Sequence, residues 1–365
     1  MSKFHQLIPK EGLDLVSYSS NDLLDRLGTD VISEVVLSVL CGNNVRDLTE
    51  GLTQRRILLM NTSLLATYVK ALSSYKNLNK SLTSVISKEL KTEHLSKDEK
   101  SFLYWFVGLT GKSIQNVIRE DSSFAGYLSR LDQNIETVSK EVQRQYGKLS
   151  CTIDNEGVQY LMQWPDLLRC MLAIGAQTLT IRGSEKSMYG KFFEKLILGS
   201  VLSILGFSHI DKSDTRKNKM VFWLSERQEK RESDATALLK AGFGIRFDIG
   251  FIGRGNPEIS LDKVSRFERE MERGGLSHNT TTIILVDTIG TNSRIVDMAQ
   301  NIGGHIIQMS GTYWVYELAK TIKNSYSFYS SPILSQSQEK SLSFIRKSMA
   351  NVNLTQFINS DATNE

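Results

Sequence analysis

The run GIRFDIGFIG at residues 244–253 alternates Ile245, Phe247, Ile249 and Phe251 with Gly244, Arg246, Asp248 and Gly250. A period of two puts one set on one face of a β-strand. A Lys-Ala-Gly-Phe turn joins this strand to another extended run, ESDATALL, at 232–239. Asp is among the poorest strand residues, and a carboxylate beside an apolar core is costly unless something compensates it. Asp248 is therefore the residue that needs a reason.

The flanks define the class of fold. SMYGKFFEKLILGSVLSILGF (187–207) reads as a strongly apolar helix and KMVFWLSE (219–226) as a strand. NPEISLDKVSRFEREMERGG (256–275) reads as a helix, with Asn256 as N-cap, Pro257 in the first turn and Gly274 at the end. TTIILVDTIG, NSRIVDMAQNIGG, HIIQMS and TYWVYELAKTIKN continue as strand, helix, strand and helix. The expected architecture is α/β: a mixed sheet in the order α-β-β-β-α-β plus an extra helix-strand-helix, with its first three strands antiparallel.

The first half reads as mostly helical, in DVISEVVLSVLCG, RRILLMNTSLLATYVKALSSY and SFLYWFVGLTGKSIQNVI. Leu128, Leu131, Ile135, Val138, Val142 and Leu149 follow a short heptad pattern. It fits one packed helix of a bundle or a dimerisation helix. The expected domains are a helical region at 1–180, to which the resemblance described below gives DNA binding or dimerisation, a core at 181–325 and a loosely attached Ser/Gln-rich tail at 326–365.

Composition excludes several classes. Three separated cysteines and five scattered histidines give neither a disulfide framework nor a zinc motif. The apolar run at 196–207 is too short to span a bilayer, and the first residues lack an apolar signal core. No membrane association and a cytoplasmic setting are expected. A net charge of +4 permits an anionic partner without requiring one.

With the hairpin turn centred near Gly242, Thr236 would face Asp248 and Asp234 would face Gly250. Asp234 and Asp248 would then be diagonal neighbours on one face, roughly 7–8 Å apart. Two such carboxylates suit a hard cation such as Mg²⁺, completed by water and phosphate oxygens. Glu194, one turn before Ile197 and Leu198, is a third candidate ligand. Lys263, one step from Val264 on the buried stripe of the 256–275 helix, is the candidate cation for orienting an attacking water. The bland readings are a Glu at a helix edge and a solvated Lys.

These elements resemble the PD-(D/E)xK nuclease superfamily. SDAT supplies the first acid at Asp234, with Ser233 in place of Pro. DIG supplies the second at Asp248, with Gly250 where the motif has Lys. A Lys relocated to the following helix would be Lys263, and Glu194 matches the acid of the first core helix. In a second layout Asp248 is the first acid and Glu258 the second. Within the superfamily, 185–320 is similar to Type II restriction endonucleases, in particular the CfrBI-like family, which cuts CCWWGG. The resemblance implies Asp234, Asp248 and Glu194 as Mg²⁺ ligands and Lys263 as catalytic. It also implies double-stranded DNA as substrate, 5′-phosphate products and a homodimer acting on a palindrome. Lys212, Arg216, Lys217, Lys219, Arg227, Lys230 and Arg231 could meet phosphates, and Arg254 a base or phosphate. The alternative is a non-catalytic nucleic-acid-binding or regulatory module whose acids are structural.

Overall fold

The structure is a computed structural model that describes residues 3–17, 22–24, 28–92, 94–117, 121–155, 157–212, 214, 218–225, 233–250, 279–288 and 304–358. Its helices are α1 (Lys10–Leu13), α2 (Thr29–Leu40), α3 (Val45–Ser74), α4 (Leu78–Glu89), α5 (Lys97–Phe106), α6 (Gly111–Val117), α7 (Asp121–Tyr146), α8 (Trp164–Ile204), α9 (Trp314–Ser325) and α10 (Gln338–Met349). Its strands are β1 (Ser150–Asn155), β2 (Val158–Gln163), β3 (Ser208–His209), β4 (Val221–Leu224), β5 (Ala235–Lys240), β6 (Phe243–Gly250), β7 (Asn279–Val286) and β8 (His305–Gln308). The chain forms two compact units, Met1–Ser19 with Glu50–Lys186 and Ser20–Thr49 with Ser187–Glu365. Residues 20–49, expected with the helical N-terminal region, thus belong to the sheet-bearing unit. The expected boundary at 180 falls inside α8, a single helix of 41 residues.

The first unit is mostly helical. Its core gathers Phe4, Tyr68, Phe102, Trp105 and Phe106 with the leucines of α3, α4 and α5. Buried polar groups lock the helices in register because an unmet polar group in such a core is costly. Asp166 accepts from Tyr68 Oη at 2.9 Å and from the Gln163 amide at 3.0 Å. Asp132 accepts from Arg169 Nη2 at 2.8 Å and Thr83 Oγ1 at 2.6 Å. Arg182 Nη2 donates to Glu50 Oε1 at 2.9 Å. The Tyr68–Asp166 and Glu50–Arg182 contacts hold α3 and the first half of α8 side by side and antiparallel. Leu128 and Leu131 of the α7 heptad are buried, with Ile135 packed against the same core. Those heptad positions therefore serve intramolecular packing. The antiparallel hairpin β1–β2 follows α7; alternation in SCTIDN and VQYLMQ around Gly157 was its overlooked signal.

In the second unit six strands lie in the order β3-β4-β5-β6-β7-β8. β4, β5 and β6 are antiparallel neighbours, as expected. β7 runs parallel to β6, β8 parallel to β7, and a short β3 adds a parallel edge beside β4. The expected helices at 256–275 and 292–303 lie outside the described residues.

Residues 326–358 do not form a loose tail. Tyr326 Oη donates to Gly244 O at 2.8 Å and Tyr329 Oη to Leu205 O at 3.0 Å. Ile333, Ile345, Met349, Leu354 and Phe357 are buried. A Cβ on Gly199 of α8 would lie 2.6 Å from the Phe357 ring, so glycine there lets the ring close onto the helix. Trp314 Nε1 donates to Val39 O at 2.9 Å and ties α9 to α2. Gly42 follows α2 with φ +95°, and a Cβ there would lie 2.9 Å from Gly311 O.

Candidate active site

The sheet's two faces differ. Phe222, Leu224, Ala235, Ala237, Ile245, Phe247, Ile249, Ile283 and Leu285 share one face by register and are all buried. The alternate residues make a more open face. Trp223 pairs with Thr236, Thr236 with Arg246 and Arg246 with Thr282, a row crossing four strands. Trp223 and Thr236 are half-buried and Arg246 is exposed. Asp248 follows Arg246 by two residues on this face and is only 7% exposed.

The hairpin register differs from the expected one. Lys240 pairs with Phe243 across Ala241-Gly242, with Gly242 at φ +80°. Leu238 then pairs with Gly244, so Leu239 is bulged out. The tight turn and the bulge shift the register by two residues. Thr236 faces Arg246 rather than Asp248. Continuing one residue beyond the Ala235–Phe247 pair sets Asp234 opposite Asp248 rather than Gly250. The Ile249 amide donates to Asp234 Oδ2 at 2.8 Å, fixing this carboxylate against β6. Directly opposed residues lie about 4.5–5.5 Å apart, closer than the expected diagonal.

Asp234 and Asp248 are thus brought together. Glu194 is half-buried on α8 among Phe192, Phe193, Leu196 and Ile197. Among the described residues no three His, Cys, Asp or Glu side chains group as ligands of one metal ion, so Glu194 does not complete such a set with the two aspartates. Lys263, Glu258, Arg254, Arg216, Lys217, Arg227, Lys230 and Arg231 lie outside the described residues. Lys212 and Lys219 are exposed.

Sequence reasoning passed over two charged residues. Arg246 was read only as part of the alternation, although it shares the open face with Asp248. Asp287, just after β7, is buried and accepts from Asn44 Nδ2 at 3.0 Å. Val286 pairs with Gly250, so alternation turns Asp287 away from the Asp248 face. Its bond to Asn44 makes it a tie between the sheet and the α2–α3 connection. The helical unit carries a separate cleft of about 550 Å³, lined by Lys80, Lys140, Lys148, Arg169, Asp132 and Trp164.

A mixed sheet with one buried apolar face, and with Asp234 and Asp248 on the other beside the buried Ile284 and Val286, is the frame of an α/β protein. Residues 29–294 match the model of the CfrBI restriction endonuclease family. The chain is 40% identical over 356 residues to the Type II restriction enzyme CfrBI of Citrobacter freundii, covering 96% of this chain and 97% of that protein. The chain belongs to the CfrBI restriction endonuclease family, and its enzyme class is the one expected from the sequence. No solved structure matches it significantly. Among the described residues no helix is long and apolar enough to cross a membrane.

Proposed function

We propose that this chain is a Type II restriction endonuclease with a PD-(D/E)xK core, cutting both strands of DNA at a short palindrome and leaving 5′-phosphates. Family membership supports the class. The observation that carries the site is the opposition of Asp234 and Asp248, with the Ile249 amide bonded to Asp234. The resemblance makes CCWWGG the first palindrome to test.

The donor set fits Mg²⁺. Two carboxylates from adjacent strands are hard oxygen ligands, and Mg²⁺ takes one or two of these with water and phosphate oxygens. Asp234 and Asp248 would hold the ion. When bound, Mg²⁺ supplies a water of lowered pKa and charge neutralisation at the non-bridging oxygens. Asp234 is oriented by the Ile249 amide, so its carboxylate needs little reorganisation as the phosphate arrives. Arg246, on the same face as Asp248, would offset the charge growing on the phosphate. Lys263 remains the candidate for orienting the attacking water.

The test is incubation of unmethylated phage DNA with the protein in Mg²⁺ and in EDTA, followed by sequencing of the ends. Discrete fragments with common 5′-phosphate ends, in Mg²⁺ only, are expected. DNA that is bound but intact in both Mg²⁺ and Mn²⁺ would replace this reading with the non-catalytic binding module.

A further inference from the structure

Asp248 shares its face of the sheet with the far end of β8. Gly250 follows Asp248 by two residues and pairs with Val286, which in turn pairs with Gln308. Side chains alternate along a strand, so Asp248, Gly250, Val286 and Gln308 lie on one face. Strands β6, β7 and β8 run parallel, and their carboxyl ends form the edge at which open α/β sheets bind ligands. Gln308 is the last residue of β8 and is exposed. The turn after it is firmly held. The Met309 amide donates to Val286 O at 2.7 Å and the Ser310 amide to Asp287 O at 3.1 Å. Met309 and Trp314 are buried, and Trp314 Nε1 donates to Val39 O at 2.9 Å. Gln308 Nε2 donates to Ser310 Oγ at 2.5 Å, which fixes the plane of the amide. An exposed amide oriented by a second side chain on a rigid support is built for recognition.

We infer that Gln308 determines sequence specificity by reading an adenine edge in the DNA, with Ser310 positioning its amide. Chemistry selects a base over a phosphate. The exposed residues at this turn are Gln308, Ser310, Gly311 and Thr312, and none is charged. Affinity for phosphates comes mainly from Lys and Arg, whereas a glutamine amide sets a donor beside an acceptor and matches N7 and the N6 amino group of adenine. An amide carries two N–H donors and a carbonyl, so a bond to Ser310 orients it without exhausting its capacity. Distance agrees. Gln308 lies two strands from Asp248 and two residues further along, about 10 Å across and about 7 Å along, or about 12 Å by backbone. At about 3.4 Å per base pair that is roughly three or four base pairs, the span of a short recognition site. The distance from the cut rests on the Asp234–Asp248 reading; the base contact itself does not.

The test is selection from a pool of randomised DNA duplexes by the full chain, by binding in EDTA and by cleavage in Mg²⁺, with sequencing of the selected molecules. Gln308→Ala should lose about tenfold or more of the preference for adenine at one base pair, keeping the other positions and the wild-type melting temperature. Gln308→Glu should move that preference from adenine to cytosine, whose N4 amino group donates to a carboxylate. Ser310→Ala should lose part of the same preference and Ser310→Thr, which keeps the hydroxyl, should restore it. Gln133→Ala, on an exposed residue of α7, should select as wild type does. Should Gln308→Ala melt lower than wild type, the change of base by Gln308→Glu decides. Unchanged preference at every position would overturn the proposal, and so would an even loss of affinity for all sequences, which marks a backbone contact. Selective binding without cleavage would sink the Asp234–Asp248 reading alone. A wild type that selects no sequence in either arm would overturn both.

Discussion

The two faces of the six-stranded sheet are built by alternate residues of the same strands, yet they answer to different physics. One face buries Phe222, Ile245, Phe247, Ile249, Ile283 and Leu285 and gains its stability from removal of apolar surface from water. The other carries Asp234, Thr236, Arg246 and Asp248, with apolar burial confined largely to Ile284 and Val286 of β7. On β6 the two roles are one residue apart at Phe247 and Asp248. Fold and chemistry can thus be perturbed separately by neighbouring substitutions.

The largest effect belongs to the sealed face. Phe247→Ala should cost about 3–5 kcal/mol in chemical denaturation, while the folded fraction cuts DNA at the wild-type rate per molecule. A loss of rate without a loss of stability would erase the distinction between the faces. Asp234→Asn should do the opposite, keeping the denaturation midpoint and slowing cleavage by about a hundredfold. Its Mg²⁺ titration should move to higher concentration, because one anionic ligand is gone. Arg246→Ala should slow cleavage by about tenfold and make DNA binding less salt-dependent by about one phosphate contact, with Arg246→Lys recovering part of the rate.

The smallest effect is a pH dependence on the sealed face. His209 packs its ring against Phe222 and Phe357. Burial lowers its pKa below the ordinary 6.5, and nearby Asp211 opposes this only in part. The unfolded chain therefore takes up the proton more readily than the folded one. This contribution to stability is complete above pH 6.5 and is lost as the pH falls through the folded pKa. Melting curves between pH 8 and 5 should show a decline that His209→Gln flattens; identical declines would remove His209 as its source.

Much of the sheet was legible because period-two alternation marks β5 and β6, while β4 and β7, buried on both faces, read as short continuous apolar runs. The hairpin's register was not, because it depends on a two-residue turn and a bulge at Leu239 that the apolar pattern does not encode. The pairing of Asp234 with Asp248 was therefore legible as a shared face but not as direct opposition. The segment after Ser325 was misread because its anchors, from Tyr326 to Phe357, are spaced among Ser and Gln, so composition hides them. The α7 heptad was legible as a pattern, but periodicity does not say whether the facing helix belongs to the same chain. Arg246 was hidden in plain alternation, since its importance comes only from what lies beside it on the sheet.

The account's central claim is that the Asp234–Asp248 pair is the metal-binding centre of a nuclease. The most direct measurement is single-turnover cleavage by Asp248→Asn in saturating Mg²⁺, with DNA binding measured separately in EDTA. A rate lower by about a thousandfold or more, with wild-type DNA affinity and melting temperature, is the predicted result. Cleavage at the wild-type rate by a folded Asp248→Asn protein would contradict the claim and place the chemistry elsewhere in the chain.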